Sequence, residues 1–464
     1  MKLSSTCLIL ALTGITGLLS AENNVPPEGF TALFNGKDLS GWYGWSTKDP
    51  RELWKMTPEQ RAEHKKQSIE GGLPEGKKGP DHINAHWKVE NGEIVNDGKG
   101  LYLTTDKDYG DFELWVEYKA LPEGDSGVYL RGIPQVQIWD STKGDPRGLG
   151  QDKGSGGLWN NSPGTPGKDP SKNMDKPFGE WNSFKITMIG ERVTIVFNGE
   201  KVVDNAVLEN YFTRSAFQKA QKAGEITDAN AFPDPAFRKG PIQLQTHGSE
   251  IRWRNVFIRE ISAAEANEKL AAGEAGYTRL DNGADLSNWQ GAVENYEVVD
   301  GAIVCKQGKG GDLLSKEEYG DMSLRFEFKL PLGGNNGIAL RTPVGGHSAA
   351  DGLEIQVIDN DGYNAKAKNP LQPYQYHGSI YHLVGAKPGF LRPVGEWNTE
   401  EIEVRSNRIK VTLNGTKILD ADLDKVDYTR VKKKPKGVDR KTGFIGLAGH
   451  NDPVAFRNFR VKRL

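Results

Sequence analysis

Apolar and polar residues alternate along much of the chain. Phe112, Leu114, Val116 and Tyr118 alternate with Glu113, Trp115, Glu117 and Lys119, and Met322, Leu324, Phe326 and Phe328 alternate with Ser323, Arg325, Glu327 and Lys329. A period of two predicts strands with one buried face. Val193, Ile195 and Phe197 run into Asn198-Gly199, and Ile409, Val411 and Leu413 into Asn414-Gly415. Asn-Gly between alternating strands predicts a type I′ hairpin, whose two central residues need positive φ. Helical signals are short: Pro58 to Gln67 inside an insertion at 46–82, one stretch inside an insertion at 211–236, and the Ala- and Glu-rich run 262–273. The pattern predicts an all-β protein, a sandwich or barrel, with short helical insertions.

The pattern also repeats. Phe30-Thr-Ala-Leu-Phe-Asn-Gly-Lys-Asp-Leu-Ser-Gly-Trp42 returns as Tyr277-Thr-Arg-Leu-Asp-Asn-Gly-Ala-Asp-Leu-Ser-Asn-Trp289. Tyr109-Gly-Asp111 returns as Tyr319-Gly-Asp321, Gly127-Val-Tyr-Leu-Arg131 as Gly337-Ile-Ala-Leu-Arg341, and Gly179-Glu-Trp-Asn182 as Gly395-Glu-Trp-Asn398. His247 matches His450, and Arg254-Asn255 matches Arg457-Asn458. So many ordered matches predict two homologous domains, 28–261 and 277–464, joined by a helical linker at 262–276. The two insertions of the first copy read as solvated surface, or as a lid or interdomain contact.

The 464 residues suit two domains. Sixty Lys and Arg against 62 Asp and Glu leave a net charge of −2, which argues against nucleic acid or an anionic membrane surface as the main partner. No run is long and apolar enough for a membrane span. Residues 1–21 read as a secretory signal: Lys2, then the apolar run Cys7 to Leu19, then small Ser20 and Ala21. The expected location is therefore periplasmic or extracellular. Cleavage would leave Cys305 alone, so no internal disulfide is expected, and its strand pattern predicts a buried packing residue.

The candidate chemistry centres on Gly352-Leu-Glu-Ile-Gln-Val-Ile-Asp-Asn360. Leu353, Ile355 and Val357 share one face, and Glu354 and Gln356 the other. Carboxyl groups about 5–9.5 Å apart could perform acid–base work on a sugar. Glu354 and Asp359 reach that separation only if the strand bends at a bulge. An ordinary solvated sheet face is the plain alternative. Arg341 ends the preceding strand and recurs as Arg131, His377, Tyr381 and His382 follow in a loop and strand, and His450 precedes the last strand. Together these groups could hold a hydroxylated ring. In the first copy Gln135 stands where the second has Glu354, and an amide is neither acid nor base at neutral pH. Gln137, Asp140, Arg131 and His247 remain there, making the first copy the weaker catalytic candidate. His82 and His86 could ligate a metal only on a helix, which the neighbouring Gly and Pro disfavour.

Leu-Phe-Asn-Gly-x-Asp-Leu-x-Gly-Trp, the strand ending in Leu-Arg, Glu-Ile-Gln-x-x-Asp, Gly-Glu-Trp-Asn, the Asn-Gly hairpin and the closing Phe-Arg-Asn together resemble the bacterial 3-keto-disaccharide hydrolase domain family, twice over. The resemblance implies two tandem concanavalin A-like jelly-roll sandwiches in an exported protein acting on a glycan or oxidised disaccharide. It implies proton abstraction beside a C3 ketone, elimination at C1 and hydration, with net hydrolysis. On that basis Glu354 or His382 is the base, Arg341 steadies the oxyanion, and Asp359 or His377 is the acid. Gln356, Tyr381 and His450, with Arg131, Gln137, Asp140 and His247 in the first copy, bind substrate. No cofactor is certain; a divalent cation could replace Arg341 as the electrophile. A separate sugar 3-oxidoreductase is the implied partner. The rival readings are a lectin-like carbohydrate-binding protein and a direct glycoside hydrolase.

Overall fold

The computed structural model describes residues 23–73, 82–431 and 433–464. The secretory-signal expectation falls on residues outside these. Four antiparallel sheets form two similar halves, and each half is a jelly-roll sandwich of an eight-stranded and a five-stranded sheet. The alternating strands are central to the larger sheets. Phe112–Ala120 lies between Asn182–Ile189 and Ile251–Glu260, and Met322–Lys329 between Trp397–Arg405 and Ala455–Arg463. Their apolar faces are sealed: Phe112, Leu114, Val116 and Tyr118 in one core, Met322, Leu324, Phe326 and Phe328 in the other. Asn198 and Gly199 take φ of 48° and 90°, and Asn414 and Gly415 take 50° and 78°, as the predicted turns require.

The smaller sheets carry the candidate chemistry. In the first half they comprise β1 (Trp42–Trp45), β2 (Tyr102–Thr105), β3 (Asp125–Leu130), β4 (Ile133–Trp139) and β5 (Gln243–Leu244). In the second they are β6 (Trp289–Gly291), β7 (Gly310–Tyr319), β8 (Asn335–Thr342), β9 (Leu353–Ile358) and β10 (Gly443–His450). The spatial orders, β1-β2-β5-β3-β4 and β6-β7-β10-β8-β9, are the same path traced twice. Leu353, Ile355 and Val357 of β9 enter the core, so Glu354 and Gln356 stand on the opposite face. Ile338, Leu340, Ile445 and Leu447 also face the core. That leaves Gly337, Ala339, Gly446 and Ala448, all small and buried, on the other face beneath Glu354 and Gln356.

Helices occupy the predicted insertions: Pro58–Glu70, Tyr211–Lys222 and, in the linker, Ala263–Ala271. The second insertion does make interdomain contact. Asn230 donates to the Asp422 carbonyl and accepts from the Asp422 N–H at 2.8 Å, and Lys387 pairs with Asp234 at 2.8 Å. The halves also meet backbone to backbone: a Cβ on Gly190 would lie 2.8 Å from the Gly415 oxygen, so that position excludes a side chain. Cys305 is fully buried. Among the described residues no helix is long and apolar enough to cross a membrane.

Candidate functional site

In the second half, Glu354 leans across Gly337 toward β10, where its Oε1 lies 3.2 Å from His450 Nε2. The glycine permits this, because a Cβ on Gly337 would stand 2.7 Å from Glu354 Cγ and 2.8 Å from its Cδ. A carboxylate only accepts hydrogen bonds, so Nε2 carries the proton and Nδ1 holds the lone pair. Pairing with Glu354 raises the His450 pKa above its ordinary 6.5 against the opposing effect of burial, with help from the charges of Asp312 and Asp452. Exposure separates their roles: the Glu354 side chain is 2% exposed and His450 is 36% exposed. The imidazole therefore meets solvent and the carboxylate stands behind it.

The loop joining β8 to β9 is tied to β7, where the Ser348 N–H donates to Asp312 Oδ2 at 3.0 Å. Burial holds the Asp312 carboxyl above the usual range, opposed by the Ser348 hydrogen bond and the charge of His347. Gln356 Nε2 donates to Asn335 Oδ1 at 2.6 Å, while Gln356 Oε1 is buried without a hydrogen-bond partner. Buried polar atoms of that kind call for a ligand or water. Replacing Gly337 by Ala is expected to push Glu354 off His450, so the His450 titration midpoint, followed by NMR, falls; an unmoved midpoint would contradict the pairing.

Several expected site residues lie elsewhere. Arg341 lies within a pairing irregularity between Ala339 and Thr342 and takes φ of 52°. That left-handed step turns its side chain to the Ser406 and Gly437 carbonyls, where it is buried. Arg131 does the same at φ 55°, donating to the Gly110, Gly190 and Phe237 carbonyls and to Asp111. Both arginines fasten the sandwich ends through these bonds. Asp359 accepts from the Gly333 N–H at 2.8 Å at the far end of β9. Pairing of β8 with β9 is unbroken from Leu340–Leu353 to Asn335–Ile358, so no bulge draws Asp359 toward Glu354. Five residues of strand separate them by roughly 16 Å. Asp140, the counterpart of Asp359, accepts from the Thr142 and Glu123 N–H groups at 2.9 Å each and is likewise a turn-fixing group. His377 is inside the second sandwich, 2.8 Å from Glu400 and stacked on Phe328.

His382 is exposed and lines a cavity of about 1040 Å³ with Tyr374 and Ala349, closed on one side by Thr227 to Asn230 of the first half. The His382 ring lies 4.1 Å from that of Tyr381 and 5.4 Å from that of Tyr374. Tyr381 itself pairs through its N–H with the Glu354 carbonyl, on the edge beyond β9. Ala349 belongs to the loop joining β8 to β9.

In the first half, His247 Nδ1 lies 3.0 Å from Asp125 Oδ2, and Gln137 Nε2 donates to Asp125 Oδ1 at 2.9 Å. The hydrogen bond that His247 donates to Asp125 raises the His247 pKa, while burial and the charge of Arg147 lower it. Asp125 and Asp312 escaped sequence reasoning, although Asp125-Ser-Gly127 aligns with Asn335-Asn-Gly337 and places an acid one strand from His247. Among the described residues no three His, Cys, Asp or Glu side chains gather closely enough to hold a metal ion. His82 Nδ1 meets the Ile69 carbonyl, and His86 Nδ1 meets Asp97.

The 3-keto-disaccharide hydrolase of Bacteroides thetaiotaomicron is 26% identical over 249 residues, covering 45% of this chain and 86% of that one. The crystal structure of a candidate glycosyl hydrolase of Parabacteroides distasonis is 25% identical, with TM-score 0.38, covering 43% of this chain and 96% of the other. A second such structure from that organism is 27% identical, with TM-score 0.35, covering 40% and 99%. The 3-keto-alpha-glucoside-1,2-lyase-like domain matches residues 29–259 and again 276–462. Those two stretches take in most of the chain, which therefore belongs to the 3-keto-alpha-glucoside-1,2-lyase-like domain family in two tandem copies.

Proposed function

We propose that the protein is an exported enzyme that cleaves 3-keto-glycosides by elimination and hydration. The observation that carries this is the His450–Glu354 pair, an imidazole base at the surface backed by a sealed carboxylate. A ketone at C3 acidifies the C2 proton. His450 Nδ1 takes that proton, and the C–H electron pair enters an enolate whose charge rests on the C3 oxygen. When the ketone re-forms, the C1–O bond breaks, and the leaving oxygen takes a proton from an acid. Water then adds across the C1–C2 double bond, so the sum is hydrolysis.

Glu354 is a positioning residue in this scheme: it fixes the tautomer and stabilises the imidazolium that forms. The ketone must be made first, so an oxidation of the C3 hydroxyl by a separate oxidoreductase is the reaction that supplies the substrate.

The test is purified protein with a 3-keto-disaccharide and with its unoxidised parent, each with and without EDTA. Release of the 3-keto monosaccharide from the first substrate alone is the expected result. Binding of both sugars without turnover would replace the enzyme by a carbohydrate-binding protein, and equal cleavage of both would make it a direct glycosidase.

A further inference from the structure

The two halves hold the same set of groups on their smaller sheets with the acid and the amide exchanged. In the second half the acid is Glu354 on β9, and Asn335 on β8 is the amide. In the first half the residue matching Glu354 is Gln135, and the residue matching Asn335 is Asp125. Registers support the match: Gly127 pairs with Gln137 as Gly337 pairs with Gln356. Gln135 lies over Gly127 as Glu354 lies over Gly337, since a Cβ on Gly127 would stand 3.1 Å from Gln135 Cδ. Gln137 donates to Asp125 at 2.9 Å where Gln356 donates to Asn335 at 2.6 Å. Gln135 Nε2 in turn donates to Gln137 Oε1 at 2.5 Å, which orients both amides.

Loss of the glutamate from the first half has therefore not left its histidine unsupported. We propose that Asp125 and His247 form a second acid–base centre, which binds and cleaves the same class of 3-keto-glycoside as the second half. This rests on the function proposed above. Asp125 accepts the Nδ1 proton of His247, so Nε2 is the basic nitrogen, the reverse of His450. The step assigned to Nε2 is removal of the C2 proton, with the electron pair passing to the C3 oxygen as before.

The first-half pair is also the more open one. His247 is 56% exposed and Asp125 24%, against 36% and 2% for their counterparts. The sheet face differs too. Tyr129 occupies the place of Ala339, its ring 5.4 Å from Tyr102 and its hydroxyl 3.0 Å from Thr47 Oγ1 of the first insertion. The charged groups acting on His247 are Asp125, which raises its pKa, and Arg147, which lowers it.

The experiment compares the full chain with His247→Ala, His450→Ala and the double variant on a 3-keto-disaccharide. Each single variant is expected to keep about half of the turnover, and the double variant to lose at least about 100-fold. Any turnover of His450→Ala above the double variant supports a first-half centre, and equality of the two overturns it. If the unaltered protein shows no turnover, the proposed function fails, and calorimetric titration with the unoxidised disaccharide decides the site. Two sugars per chain falling to one in His247→Ala supports it, and an unchanged stoichiometry or no binding overturns it. NMR titration of His247 in Asp125→Asn is independent of both: its midpoint falls while that of His450 stays, and an unmoved His247 midpoint removes Asp125 from the centre.

Discussion

In a chain carrying His247→Ala, the added substitution His450→Ala is expected to lower turnover of a 3-keto-disaccharide by roughly 10²–10⁴-fold, the range a positioned general base supplies. The first substitution silences the other half, so the measurement reads the second alone. Glu354→Gln in the same background should cost less, because the Gln oxygen can still accept the Nε2 proton of His450. It brings no charge, however, and so cannot stabilise the imidazolium. The pH dependence separates this role from a merely structural one. His450 is the base only when neutral, and Glu354, Asp312 and Asp452 all favour its cation. The value of kcat/KM in the His247→Ala chain should therefore climb with pH through a midpoint above 6.5. Removing the Glu354 charge should move that midpoint down and lower the plateau. A profile that keeps its midpoint in Glu354→Gln would show that Glu354 does not act through His450.

How far this site was legible can be followed residue by residue. The strands that build it were readable, since Leu353, Ile355 and Val357 alternate with Glu354 and Gln356 over an unbroken run of pairing. Where the period breaks, inference fails with it. Arg131 and Arg341 recur at one place in both copies, and that recurrence invites a functional role. Arg341 lies within a pairing irregularity and Arg131 just past one, both with positive φ, which counting by twos cannot see. Asp359 and Asp140 look like site acids in one dimension, yet both are consumed by backbone N–H groups of their own turns. The Asp125–His247 pair was hidden for another reason. Its two members are 122 positions apart, and only the sheet order, which brings β5 against β3, makes them neighbours. A comparison of copies by identity notes the lost glutamate at Gln135. It takes the lateral neighbours to notice the aspartate that stands in.

His377 holds a second difference between the two copies, and it bears on stability. Its Nε2 faces Glu400 at 2.8 Å inside the second sandwich, where the two side chains are 2% and 0% exposed. His377 Nδ1 and Glu400 Oε1 are buried there without partners. The pair thus incurs the desolvation of two polar side chains and is incompletely satisfied. His377→Ala should leave the Glu400 carboxyl buried and alone, and lower stability by about 3–5 kcal/mol. The first half has solved the same place differently, with Ser155 at the position of His377 and Phe184 at that of Glu400. Phe184 is fully buried there, its ring 5.4 Å from that of Tyr118 and 4.5 Å from that of Phe197. Installing that solution, His377→Ser with Glu400→Phe, exchanges an imidazole and a carboxyl for a hydroxyl and a ring of comparable total bulk. The double variant should regain the loss and could exceed the unaltered protein by about 1–4 kcal/mol, as apolar replacement of buried ion pairs often does. Denaturant unfolding of the four proteins tests this as a cycle, with the second-half transition followed separately from the first. Independent, additive effects of the two substitutions would mean that His377 and Glu400 do not support one another in the folded chain.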